Sequence, residues 1–343
     1  MRPRSNRRAP RLQSGVASMA TLTYENPVYD GSFADPFVWR AGGAYYAVGT
    51  GQAEAEGHVG STAFPLLTSP DLVHWRALGE ALVRPAPALG DTLWAPEVAC
   101  RDDEFFLYYS VGWSDREHHL RVARADRPEG PYQDVAALTD LERCPFAIDA
   151  HPFQDADGRD YLFFAVDFLY SGEDVRPGTA LVVQELADMI RLVGKPHTVA
   201  RARWDWQRFA AERPMYGSTY DWHTLEGPAV VYRDGVYYCM YSGGCWHTPR
   251  YGVDYVTASR VLGPWSDDSV AEGPRVLRGI EGRVLGPGHH SVVLGPDGRT
   301  PYVCYHAWDP AMTRRRMCID PLVFTPDGPR CDGPSTGPRA IEL

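Results

Sequence analysis

Five times along the chain an apolar, strand-like run meets a turn rich in glycine or aspartate and returns as an aromatic run. The clearest case is Leu225–Ser242, LEGPAVVYRDGVYYCMYS. Glu226 leads a short apolar strand (229–232), Asp234 and Gly235 make the turn, and an aromatic strand (236–241) follows. Asp-Gly between two such runs signals a tight hairpin, because its central residues need positive φ. The pattern recurs in ADPFVWRAGGAYYAVGT from Ala34, APEVACRDDEFFLYYSV from Ala95, DAHPFQDADGRDYLFFAV from Asp149 and GHHSVVLGPDGRTPYVCYHAW from Gly288. The aromatic strands centre near Tyr46, Phe106, Tyr161, Tyr238 and Tyr302, 55 to 77 residues apart. That spacing is too irregular for an array and regular enough for a supersecondary unit per repeat. Five sheet-forming units predict an all-β chain, a five-bladed β-propeller forming a single domain over 23–343 behind a disordered extension, 1–22. In such a fold the openings Asp35, Glu97, Asp149, Glu226 and His289 converge on a central pocket. The strand near Tyr24 is a candidate to complete a blade with the C-terminal strands. An insertion over 201–221, partly helical in pattern, is expected at the pocket rim.

Composition narrows the function classes. The 343 residues are 44% hydrophobic, enough for a sizeable core, and the 33 glycines and 29 prolines suit many short strands and tight turns. A net charge of −10 argues against nucleic acid or an anionic membrane as partner, since both call for a basic face. The seven cysteines include no Cys-x-x-Cys, which indicates neither a zinc knuckle nor a redox pair and suits a reduced, intracellular chain. The first 20 residues are basic but lack the apolar run of about 7 to 15 residues that a signal peptide needs. A cytoplasmic location is therefore expected, with Met19 as an alternative start.

Three acids precede inner strands beside a proline or glycine: Asp35 in FADP, Asp149 in AIDAHP and Glu226 in LEGP. Acids at turns commonly cap backbone amides. Recurrence at equivalent repeat positions favours chemistry instead. Two carboxyl groups across a sugar ring suffice for glycoside hydrolysis, as proton donor and as base or nucleophile. A third acid nearby raises the pKa of the donor and keeps it protonated near neutral pH.

FADPFV, LWAPEV, IDAHPF, LEGPAVVY and GPGHHSVV, in this order, resemble glycoside hydrolase family 43, the five-bladed propeller arabinanases, arabinofuranosidases and xylosidases. The resemblance runs from about Asn26 to Phe324. It implies an inverting mechanism, with Asp35 as general base, Glu226 as general acid and Asp149 tuning and orienting that acid. Inversion would set the carboxyls of Asp35 and Glu226 about 6.5 to 9.5 Å apart. His289 matches the Gly-Pro-Gly-His motif near the propeller axis. There it would face a structural Ca2+ through water, because calcium prefers oxygen ligands; no cofactor is needed for the chemistry. Trp94 resembles a sugar-stacking residue, and Phe33 is a candidate second wall. His151 is placed to contact sugar hydroxyls or to close a turn. Of the run Arg314-Arg315-Arg316, Arg315 is the candidate to reach the pocket.

The resemblance also orders the substrates. YSGGCWHTPRYGVDYV and YHAWDPAMTRRRMCIDPL look closer to arabinan-active branches, which implies hydrolysis of α-L-arabinofuranosyl linkages in arabinan or arabino-oligosaccharides. A β-xylosidase or a bifunctional enzyme is the alternative. A propeller that binds glycans without cleaving them is a third reading, disfavoured by the presence of all three acids.

Overall fold

The computed structural model describes residues 20–51 and 62–343. After a short strand β1 (Thr21–Tyr24), the chain builds five antiparallel blades in sequence order. Blade I comprises β2 (Ala34–Ala41), β3 (Ala44–Thr50), β4 (Thr62–Ser69) and β5 (Arg76–Val83); blade II comprises β6 (Thr92–Arg101), β7 (Glu104–Trp113), β8 (Arg116–Ala125) and β9 (Gln133–Ala137). Blade III is β10 (Ala147–Gln154), β11 (Asp160–Phe168), β12 (Gly178–Ala187) and β13 (Arg191–Ala200). A side strand β14 (Arg208–Met215) then pairs with the long β15 (Ser218–Arg233), which opens blade IV with β16 (Val236–Gly243), β17 (Gly252–Ala258) and β18 (Trp265–Ser266). Blade V is β19 (Leu285–Leu294), β20 (Pro301–Trp308), β21 (Arg315–Thr325) and β22 (Gly328–Cys331), and β23 (Arg339–Glu342) ends the chain. The molecule is a five-bladed β-propeller.

The core is divided into wedges between neighbouring blades, and the period of the strand explains it. On β7, Phe105, Leu107 and Tyr109 pack toward blade I, while Phe106 and Tyr108 pack toward blade III. On β16, Tyr237, Cys239 and Tyr241 face blade III, and Met240 faces blade V. Strands buried on both faces read as continuous apolar runs rather than alternating ones, which is why the aromatic strands stand out in the sequence.

Three expectations change. β1 completes no blade; it pairs with β23, Thr21 opposite Glu342, as a separate two-stranded clasp. Tyr24 and Ile341 from this clasp are buried in the wedge between blades I and V. Thr21 and Leu22 therefore belong to a strand and not to a disordered extension, whose remaining positions 1–19 lie outside the described residues. The segment 201–221 is helical only for a single 3₁₀ turn, Asp205–Gln207. The indole N–H groups of Trp204 and Trp206 donate to Ser269 Oγ and the Val270 carbonyl at 2.9 and 3.0 Å and pin that turn. From Arg208 onward the segment forms the β14–β15 hairpin, whose loop residues Tyr216 and Gly217 have φ of 51° and 72°, as a tight two-residue hairpin turn demands.

Candidate active site

A bulge recurs on the innermost strand of every blade. The ladder slips between Ala34 and Phe37, Trp94 and Glu97, Ile148 and His151, Glu226 and Ala229, and Gly288 and Ser291. Inside each slip lies a residue at left-handed φ: Asp35 (51°), Ala95 (46°), Asp149 (60°), Gly227 (56°) and His289 (43°). Bulges re-aim side chains, and here they turn strand residues toward the axis. For a residue with a side chain such a backbone costs on the order of 1–3 kcal/mol and persists only where its surroundings fix it. The fixing is visible. Four of these N–H groups donate to a side chain of the preceding blade: Asp35 to His306 Nδ1 (3.2 Å), Ala95 to Thr50 Oγ1 (2.8 Å), Gly227 to Asp149 Oδ2 (2.8 Å) and His289 to Ser242 Oγ (2.7 Å).

The repeat register also corrects the list of openings. The counterparts of Asp35 in blades II and IV are Ala95 and Gly227; Glu226 stands one residue earlier, level with Ala34, and Glu97 lies beyond the bulge, level with His151 in blade III. The two join there, His151 Nδ1 standing 2.7 Å from Glu97 Oε2.

Asp35, Asp149, Glu226, His289, Arg315 and Trp94 line a cavity of about 280 Å³ at the axis, together with Thr50, Gly51, Ile148 and Trp246. Each carboxyl has its own electrostatic setting. Burial would raise Asp35, but the Arg315 guanidinium, 3.0 Å from Oδ1, together with His289 and His306 outweighs it and holds the acid well below its ordinary range. Burial pushes Glu226 up to about 7; the nearby charge of Asp35 adds to the rise, and a hydrogen bond from the Tyr251 hydroxyl to Oε1, 2.7 Å, works against it. Asp149 is raised well above its ordinary value by burial first and then by the charges of Glu226 and Asp35. Near neutral pH the site therefore holds an ionised carboxylate together with a carboxyl that keeps about half its protons, the pairing that proton transfer at both ends of a glycosidic bond requires.

The family model for glycosyl hydrolases family 43 matches residues 24–329. The chain belongs to that family. A β-D-galactofuranosidase from Aspergillus niger is 32% identical to this family 43 chain over 322 residues, covering 88% of this chain and 83% of its own. An extracellular exo-α-(1→5)-L-arabinofuranosidase from Streptomyces chartreusis is 26% identical over 310 residues, 85% of each chain. Among solved structures, a thermostable family-43 glycoside hydrolase superposes with a TM-score of 0.77 at 30% identity, covering 92% of this chain and 98% of that one.

The walls of this family 43 pocket differ in part from the expectation. Trp94 lines it, with its ring stacked on His118 at 3.7 Å between centroids. Arg315 points in, over the Trp246 ring at 4.6 Å, whereas Arg314 and Arg316 point out to Asp30 at 3.1 and 3.0 Å. Strand alternation makes that separation. Phe33 is not a wall: it is fully buried in the wedge between blades I and V. His151 does not contact the pocket either, because Glu97 takes one ring nitrogen and the Val230 N–H donates to the other at 3.1 Å. Trp246, Tyr251 and His306 were not singled out from the sequence. Only Trp246 carried a signal, as a tryptophan in the glycine-rich SGGCWHTP loop behind an aromatic strand.

His289 Nδ1 stands 3.4 Å from Asp35 Oδ1 and 4.0 Å from Asp149 Oδ2. Burial lowers the His289 pKa, so the ring is neutral near pH 7. The next residue, His290, is fully enclosed, with both ring nitrogens unpartnered. Among the described residues no three His, Cys, Asp or Glu side chains converge as a metal-ligand set. These side chains do not supply the roughly six to eight oxygens that Ca2+ takes.

Proposed function

We propose that the chain hydrolyses α-L-arabinofuranosyl linkages with inversion, releasing sugar from arabino-oligosaccharides. The observation that carries this reading is the pair of opposite protonation states in one small pocket, Asp35 held ionised and Glu226 raised to about 7. Glu226 gives its proton to the leaving oxygen as the glycosidic C–O bond breaks. Asp35 takes a proton from the water that attacks the anomeric carbon from the opposite face. Asp149 accepts the Gly227 N–H beside Glu226 and so fixes the backbone of the donor. Arg315 and Trp246 border the base side, and Trp94 supplies an apolar ring for a sugar face.

A second substrate reading rests on the 32% identical β-D-galactofuranosidase. β-D-Galactofuranose presents the same ring configuration as α-L-arabinofuranose with a longer exocyclic arm, so a pocket that fits the smaller sugar needs only extra room for that arm. A panel of aryl α-L-arabinofuranoside, β-D-galactofuranoside and β-D-xyloside decides between them. The highest kcat/KM is expected on the arabinoside, and preference for either other sugar overturns the assignment. NMR of the first-formed anomer tests inversion. Glu226→Gln is expected to cost about 10²–10⁴-fold on a substrate with a poor leaving group and much less on an activated aryl glycoside. Asp35→Asn should lose a similar factor on both, because activation of water is then the missing step. A protein that binds the sugars but cleaves none would be a lectin-like propeller.

A further inference from the structure

Asp149 and His151 lie two residues apart on β10, and each takes a backbone N–H of β15 in the next blade. Asp149 Oδ2 accepts from Gly227 at 2.8 Å, and His151 Nε2 accepts from Val230 at 3.1 Å. The first contact falls inside the slip between Glu226 and Ala229, and the second falls directly after it. A bulge decides where its side chains point, so these two contacts hold the stretch that aims Glu226.

The second contact works with only one form of the ring. A backbone N–H donates and cannot accept, so Nε2 must offer its lone pair and the ring proton sits on Nδ1. Nδ1 stands 2.7 Å from Glu97 Oε2, the length of a charge-assisted hydrogen bond. Glu97, on blade II, thereby sets the tautomer and the ring orientation that the Val230 contact needs. The other blades show why a carboxyl stands there. Val38 in blade I and Pro152 in blade III occupy the level of Val230. Val38 donates its N–H to the Ser291 hydroxyl of blade V at 3.0 Å, the same inter-blade contact with a smaller acceptor. Pro152 has no N–H to give, so Glu97 meets the His151 ring instead. The Glu97 and His151 side chains are 9% and 12% exposed, which shelters the pair from competing water.

We propose that His151, with its tautomer set by Glu97, is a positioning residue for the proton donor: with Asp149 it clamps the blade IV bulge and so aims Glu226 at the leaving oxygen. The proposal rests on the hydrolase reading of the acid pocket. A misplacement of about 1 Å in a reacting group can cost on the order of 10²-fold, so a clamp that touches no sugar still governs the rate.

The test is kcat and KM on two glycosides of the sugar that the aryl panel selects. One carries a poor alkyl leaving group, and the other an activated aryl group whose departure needs no proton. His151→Leu should cut kcat by about tenfold or more on the first and by less than about threefold on the second, with each KM within about twofold. Loosened packing would slow both alike, because both need the same attacking water. Glu97→Gln keeps a carbonyl oxygen for the Nδ1–H and drops the charge, so both rates should stay within about twofold of the unaltered chain. Glu97→Ala removes the acceptor and should show the split at about threefold or more, and it decides the matter alone if His151→Leu fails to fold. Equal losses on the two glycosides, no loss in a folded Leu or Ala variant, or as large a loss in Glu97→Gln as in Glu97→Ala overturns the proposal. An unaltered chain that cleaves neither glycoside overturns the hydrolase reading itself, so the two failures remain distinct.

Discussion

The Tyr251 hydroxyl donates to Glu226, the proposed proton donor, and that hydrogen bond is a lever on the pH profile. In the proposed mechanism Glu226 acts when protonated, so kcat/KM should be level below about pH 7 and fall above it, with Asp35 ionised throughout this range. The Tyr251 hydroxyl stabilises the ionised form of Glu226 and lowers its pKa. Tyr251→Phe removes that stabilisation, so the alkaline limb should move to higher pH. A variant that only loosened packing would lower the rate without moving the limb, and an unmoved limb would refute the assignment. At this scale the sequence was readable where a side chain's type and neighbours bring it to the axial pocket, as with Asp35, Asp149 and Glu226. It was silent on Tyr251 and His306, which lie in ordinary strand text and acquire roles only through contacts across blades. Phe33 misled because nearness in sequence to Asp35 says nothing of which way a ring turns: the bulge sends the acid inward and leaves the phenylalanine in the wedge.

The repeating element is the bulged inner strand, and its hydrogen bonds make it testable apart from catalysis. Thr50 accepts the Ala95 N–H in the slip of blade II. Thr50→Val keeps the shape and leaves that buried N–H without its partner, which should cost about 1–3 kcal/mol. Equilibrium urea unfolding checks it, and a loss below about 0.5 kcal/mol would mean that water or another group replaces the threonine. Gly227 shows why a glycine follows Glu226: at φ 56° a Cβ there would stand 3.2 Å from the His289 ring. The five hairpins were legible in the sequence because turn residues and apolar runs are local signals. The bulge was not, because an extra residue in a ladder is defined only against the partner strand. Glu97 was misplaced for that reason, being read as the opening of blade II when Ala95 holds that position. The 201–221 segment failed differently, since two tryptophans anchored on the 269–270 segment override its helical pattern.

Over the whole molecule, the four-residue clasp between β1 and β23 packs where blade V returns to blade I. Ile341 is completely buried where the clasp meets blades I and V. Ile341→Ala should cost about 2–5 kcal/mol, read as a lower urea midpoint at unchanged slope. An unchanged midpoint would show that the ring closes without the clasp. Neither strand was specific in the sequence, because four residues carry too little pattern to name a partner more than 300 positions away. A different join binds blades III and IV. β12 and β15 run parallel for two residue pairs, Gly178 with His223 and Thr179 with Thr224, and a side chain at Gly178 would collide with the His223 carbonyl. That ladder merges the two blades into one sheet, so Asp149 and Glu226 ride on a single body. Asp35 and Arg315 ride on blades I and V, which the clasp braces separately. In the proposed mechanism the gap that admits the attacking water is thus a joint between two parts of the ring, and its width is set by how those parts pack. Adaptation to heat or cold could adjust that setting through packing between blades IV and V, around Met240 and Tyr305, while every residue that touches sugar stays as it is.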